Sequence, residues 1–178
     1  ELARTCGMMT AYYDRWAGER DEWEIIENEG EFEIDFIDTA DFRGARDGLK
    51  RHKASGLLCL EENKTTSDDV ETVGTDYWQR LAFDLQPTLY RHAVSKKYDE
   101  VPTIVYDVIR KPGGKPKLKK SVTKRKNETA EECQARKDEV RETLEEFSTR
   151  MAQTMMGDLD KYLVRREVFK IRDDAEAV

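Results

Sequence analysis

Cysteine is scarce and histidine scarcer: the chain of 178 residues holds three cysteines and two histidines. Cys6, Cys59 and Cys133 stand far apart and form no C-x-x-C pair. That excludes a zinc site or an iron–sulfur cluster built from this segment alone. An odd number of scattered cysteines also argues against a disulfide framework and suits a reducing, cytoplasmic compartment. Long apolar runs are missing too. No stretch approaches the roughly 18 apolar residues of a membrane span, and no signal-peptide pattern is visible, so no membrane partner is expected. The sequence opens at Glu1 within a helical pattern, as expected of a piece excised from a longer protein. Other parts of a parent chain, or further copies of this one, are therefore expected partners.

What is abundant is charge: 39% of residues are charged, against 38% hydrophobic, with a net charge of -7. The apolar residues are clustered, and the length fits a single α/β domain spanning 1–178 with a proper core. The acidic balance argues at first against a nucleic-acid partner, but its distribution argues the other way. Nine lysines and arginines lie between Arg110 and Lys126 with no acid among them, including Arg110, Lys111, Lys117, Lys119 and Lys120. A local positive strip on an acidic body can grip a phosphate backbone; a solvated linker is the alternative. Pro112, Gly113, Gly114 and Pro116 predict a loop over 111–127, mobile when free.

Periodicity sets out the elements. Met8, Met9, Tyr12, Tyr13 and Trp16 predict a helix over about Ala3–Arg20 that packs through this stripe. Alternation of Phe32, Ile34 and Phe36 with acids predicts extended structure over Trp23–Ile37. A short strand follows over Phe42–Leu49, then a turn at His52–Gly56. Leu57–Lys64 is a third strand, apolar at four successive positions and then abruptly charged, as in a strand buried on both faces. Thr75–Ser95 predicts a helix interrupted at Pro87, and Val101–Val108 a strand. Thr129 with Glu132 is a capping-box pattern opening a helix to about Met156. Tyr162–Ile171 is a last strand. No internal repeat is evident. The pattern is a mixed sheet flanked by helices.

Chemistry gathers where the third strand turns polar. Glu62 and Lys64 share one face, while Glu61 and Asn63 point away. If the two strands pair as a hairpin, Asp47 meets Glu62 at the end of the sheet. Two carboxylates there suit Mg²⁺ or Mn²⁺, which take oxygen ligands and keep waters. A nearby lysine can orient a metal-bound water or help deprotonate it. A surface ion pair between Glu62 and Lys64 is the plain alternative. An acid at the end of a doubly buried strand, however, is costly unless paired or metal-bound.

Phe42-Arg43-Gly44-Ala45-Arg46-Asp47-Gly48-Leu49 followed by Leu60-Glu61-Glu62-Asn63-Lys64 resembles the signature of the PD-(D/E)XK nucleases, in their RecB-like and phage exonuclease branch. Asp84-Leu85-Gln86-Pro87-Thr88-Leu89-Tyr90 resembles that branch's Q-x-x-x-Y motif. Val105-Tyr106-Asp107-Val108-Ile109-Arg110-Lys111-Pro112 resembles the "Y-D-x-I-x-K-P" strand of phage-encoded members, and Tyr162–Val168, with Arg165 and Arg166, their late strand. The likeness runs from about Tyr12 to Val168. It implies a restriction-endonuclease-like core and a DNA exonuclease of phage-type recombination or end processing. Asp47, Glu62 and the backbone carbonyl of Asn63 would be metal ligands, and Lys64 would position the water. Gln86 and Tyr90 would bear on DNA and on the active-site strand. Arg165 and Arg166 are further expected DNA contacts.

The chain also departs from the pattern. Arg46 stands before the motif aspartate, where an apolar residue is usual, and could pair with an acid or touch DNA. The segment for an upstream histidine ligand is missing; Glu29 is the nearest substitute, between Glu27 and Glu31. His52 and His92 have no place in the motif. A DNA-binding module of the same fold without cleavage is the second reading, and a purely structural domain the third.

Overall fold

The computed structural model describes residues 1–37 and 40–168. They form two compact units, one of Glu1–Asp14 with Lys111–Leu159, the other of Arg15–Arg110 with the residues from Asp160. The chain opens with α1 (Leu2–Trp16) and a 3-10 turn (Ala17–Glu22). Then come β1 (Trp23–Ile37), β2 (Ala40–His52), β3 (Leu58–Thr66), α2 (Asp76–Ala82), α3 (Leu85–Tyr98) and β4 (Thr103–Arg110). The remainder is α4 (Ala130–Glu139), α5 (Leu144–Met156), α6 (Leu159–Tyr162) and β5 (Leu163–Glu167).

The larger unit is α/β, with a five-stranded mixed sheet in the order β1-β2-β3-β4-β5. Only β3 and β4 run parallel; their connection carries α2 and α3, as a parallel pair requires. Leu58, Cys59 and Leu60 are all buried, which is why β3 reads as a continuous apolar run. Leu49, Leu60, Ile104, Tyr106 and Val108 meet Trp78, Tyr90 and Val94 in one core between sheet and helices.

The helix over Thr75–Ser95 is indeed broken, but at Phe83 and Asp84 rather than at Pro87. Asp84 caps α3 by accepting the Gln86 amide at 3.1 Å. Pro87 thus falls in the first turn of a new helix, where a missing N–H costs nothing.

α1 ends at Trp16, and its buried residues, Ala3, Gly7, Met8 and Ala11, all belong to the smaller unit. The expected aromatic stripe is wrong in part: Tyr13 is 67% exposed. Gly7 allows close contact with α5, since a Cβ there would collide with the Ser148 carbonyl and come within 2.9 Å of the Met151 Cβ. The Thr129–Glu132 capping box is present, but the helix ends at Glu139. A second capping box, Thr143 with Glu146, starts α5. Two boxes fourteen residues apart also overturn the expectation of no internal repeat.

The basic segment is not a free loop either. Its backbone pairs with the α4–α5 junction: Lys119 N–H donates to the Val140 carbonyl at 2.7 Å and Glu142 N–H to the Lys117 carbonyl at 2.8 Å. Residues 169–171 of the expected last strand lie outside the described residues.

Candidate active site

The site arises where β2 and β3 part. Their ladder runs from Arg51↔Leu58 to Gly48↔Glu61 and stops. Beyond it β2 continues with β1 alone, while β3 continues with β4. One step past the last pair, Asp47 and Glu62 come opposite each other. There the Asp47 side chain replaces the backbone ladder: its Oδ2 accepts the Asn63 amide at 2.8 Å. Alternation then sets Glu62 beside Tyr106 on β4, and Tyr106 beside Arg166 on β5.

Glu62 is buried, 1% exposed, on the helix-covered face. Lys64 Nζ lies 3.3 Å from its Oε2, and its Oε1 is buried without a hydrogen-bond partner. Burial pushes the Glu62 carboxyl up to about 7; Lys64 pulls it down, while the charges of Asp47 and Asp84 push it further up. Asp84 is the neighbour that sequence reasoning missed. Its presence here follows from the helix break, the feature misplaced to Pro87. Tyr106 extends toward it, with its hydroxyl 3.3 Å from the Leu81 carbonyl and 3.5 Å from Asp84 Oδ2.

Other expected residues fall in several places. Glu29 is exposed and adopts a left-handed backbone (φ 51°), at the position skipped between Asn28↔Gly48 and Gly30↔Arg46. Gln86 is exposed and donates to the Tyr90 hydroxyl, whereas Tyr90 is buried in the core, its ring 5.0 Å from Phe32. Arg110 lies 3.6 Å from Asp69. Lys111, Lys117 and Lys120 are exposed, and Lys119 pairs with Glu146 at 2.7 Å. Arg166 sits over the Trp78 ring at 4.4 Å.

Arg165 is committed elsewhere. Its guanidinium lies 2.5 Å from Asp107 and 2.8 Å from Glu19, over the Trp16 ring. Arg46 turns inward, 1% exposed, and pairs with Glu27, which also accepts from Lys97 and the Tyr98 hydroxyl. Gly30 makes room for it: a Cβ there would come within 2.8 Å of the Arg46 Nη2. His52 bonds Ser55 Oγ in its turn at 2.9 Å, and His92 is exposed.

Among the described residues, no three His, Cys, Asp or Glu side chains gather closely enough to hold a metal ion by themselves. A hard cation such as Mg²⁺ needs only one or two carboxylates, with waters filling its shell. The unpartnered Glu62 Oε1 opposite Asp47 fits that requirement. No known protein family matches the chain, and no curated protein is significantly similar to it in sequence. No helix among the described residues is long and apolar enough to cross a membrane.

Proposed function

We propose that this chain is a metal-dependent DNA nuclease of the PD-(D/E)XK type, acting as an exonuclease in recombination or end processing. The single observation that carries the reading is Glu62: a carboxylate 1% exposed, with one oxygen unpartnered, on the same strand face as Lys64 and across from Asp47. Such a group is expensive to bury, and a bound cation would offset that cost. Asp47, Glu62 and the Asn63 carbonyl would hold Mg²⁺ or Mn²⁺. The bound cation would acidify a water and offset charge at the scissile phosphate. Lys64 would hold that water in line and take part in moving its proton. Asp84 and Tyr106 line the same region, at the start of α3. Contacts through Lys111, Lys117 and Lys120 would be blind to sequence, as suits an enzyme that cuts anywhere along a strand.

The test is incubation with end-labelled linear DNA and with circular DNA, in Mg²⁺, Mn²⁺ or EDTA. Cleavage of the linear substrate alone, lost in EDTA and in Asp47→Ala and Glu62→Ala, is expected. A folded chain inert toward both DNAs would overturn the nuclease reading and leave the DNA-binding and structural ones.

A further inference from the structure

The smaller unit contains a duplication. Glu128-Thr129-Ala130-Glu131-Glu132-Cys133-Gln134-Ala135-Arg136 and Glu142-Thr143-Leu144-Glu145-Glu146-Phe147-Ser148-Thr149-Arg150 share the pattern E-T-x-E-E-x-x-x-R. Each copy starts a helix with a capping box, and each buries the residue five past its glutamate, Cys133 and Phe147.

The likeness extends to what each copy grips. Arg136 forks onto Glu128 at 2.6 and 2.8 Å and donates to the Thr123 carbonyl at 2.9 Å. Glu128 in turn accepts the Arg125 amide at 2.9 Å. Arg150 forks onto Glu142 at 2.7 Å through both nitrogens and donates to the Lys115 carbonyl at 3.0 Å, while Glu142 accepts the Lys117 amide at 2.8 Å. In both copies the arginine takes a strap carbonyl and the glutamate takes the amide two residues later. The basic strap is therefore pinned at two points by one device used twice.

The pinning also disposes of the nearest acids. Glu128 and Glu142 are each drawn down to about 2, by the Arg136 and Arg150 forks first and the strap amides second. Their charge is taken up chiefly by the arginines. Among the described residues the exposed side chains of Lys115, Lys117, Lys120, Lys124 and Lys126 have no ion-pair partner. Exposed cations on a backbone fixed at two points suit a chain of phosphates, because the order is established before contact.

We propose that the two E-T-x-E-E-x-x-x-R clamps hold the strap 115–126 as a preformed track for a DNA sugar–phosphate backbone. Glu128, Arg136, Glu142 and Arg150 are its positioning residues. The inference rests on DNA being the substrate, but not on the carboxylate centre.

The experiment measures binding of the full chain, made inactive by Glu62→Ala, to two labelled duplexes of unrelated sequence over a range of salt. Glu128→Gln with Glu142→Gln removes two negative charges, so net charge alone predicts tighter binding. The clamps predict the opposite: roughly fivefold to tenfold weaker binding to both duplexes, with the slope of log K against log salt unchanged because every lysine remains. Arg136→Lys with Arg150→Lys keeps the charge but cannot fork, and should give the same loss should the first pair fail to fold. Lys117→Ala with Lys120→Ala should lower the slope by about 0.9 per lost contact. Binding unchanged or tightened in the folded clamp variants overturns the clamps. A slope indifferent to the lysines overturns the track. Metal-dependent cleavage by the wild type reports on the carboxylate centre separately.

Discussion

The two faces of the sheet both bury carboxylates and treat them differently. On one face Asp107 is 1% exposed and lies 2.5 Å from Arg165, which also meets Glu19 at 2.8 Å. Glu61 there lies 2.8 Å from Lys50. Tryptophans cover both cations: Trp16 lies 4.1 Å from Arg165 and Trp23 lies 4.5 Å from Lys50. On the opposite face Glu62 is equally buried, but its cation, Lys64, stands farther off at 3.3 Å. Buried charges with close partners explain themselves as architecture. One whose cation stands farther off marks a place where added positive charge is favourable.

The largest effect should come from breaking the well-paired face. Arg165→Ala leaves Asp107 buried without its guanidinium, and loss of one partner of a buried pair costs about 3–5 kcal/mol. Urea denaturation measures it. A cost below about 1 kcal/mol would return Arg165 to the surface role expected of it as a DNA contact.

The other face should respond with the opposite sign. The Glu62 carboxyl is raised to about 7, chiefly by burial, against about 4.3 in an unfolded chain. The folded state therefore holds the proton more tightly. Below about pH 4 both states are protonated and nothing is lost. As pH rises through the window up to 7 the unfolded state ionises first, and stability falls; above that the deficit is constant, on the order of 3 kcal/mol. Glu62→Gln should thus raise the thermal midpoint in EDTA at pH 8, and the gain should vanish near pH 4. Mn²⁺ should stabilise the wild type at pH 8 and leave Glu62→Gln unmoved. Equal midpoints at both pH values would mean that the buried oxygen is satisfied.

What could be read in advance follows the range of the interactions. β1 begins and ends where alternation placed it, and the apolar run of β3 is buried on both faces, because both signals are local. The hairpin of β2 with β3 could be guessed from adjacency, and with it the approach of Asp47 to Glu62. Partners distant in sequence could not. Nothing near Arg165 announces Asp107, so an arginine expected to contact DNA is held inside; Arg46 pairs with an acid, one of the roles open to it, but nothing local singles out Glu27. Two local signals in the sequence mark the helix boundaries. Thr143 and Glu146 repeat the Thr129 and Glu132 pattern, and each pair opens its own helix. Pro87 stops a helix only in its interior, and Asp84 just before it is a capping residue.

Lys64 sharpens the contrast between the faces, because it is a cation with a single carboxylate partner on the face that is short of charge. It is 27% exposed, so Lys64→Ala should leave the fold and DNA affinity in place, with some loss of stability because the buried Glu62 loses its cation. Turnover should fall roughly 10²-fold, the scale of a lost acid–base or electrostatic group. A structural role could produce a rate loss as well, so the deciding readout is the pH dependence of Mn²⁺ binding. Lys64 pulls the Glu62 carboxyl down, and without it the carboxyl ionises at a higher pH. Cation binding requires the ionised form. Calorimetric titration of Lys64→Ala should therefore show the rise in Mn²⁺ affinity displaced toward alkaline pH, with the affinity at high pH equal to or above that of the wild type. A midpoint that stays in place while turnover collapses would separate Lys64 from Glu62 and assign its effect to the substrate. Turnover near the wild-type rate would remove Lys64 from the chemistry altogether.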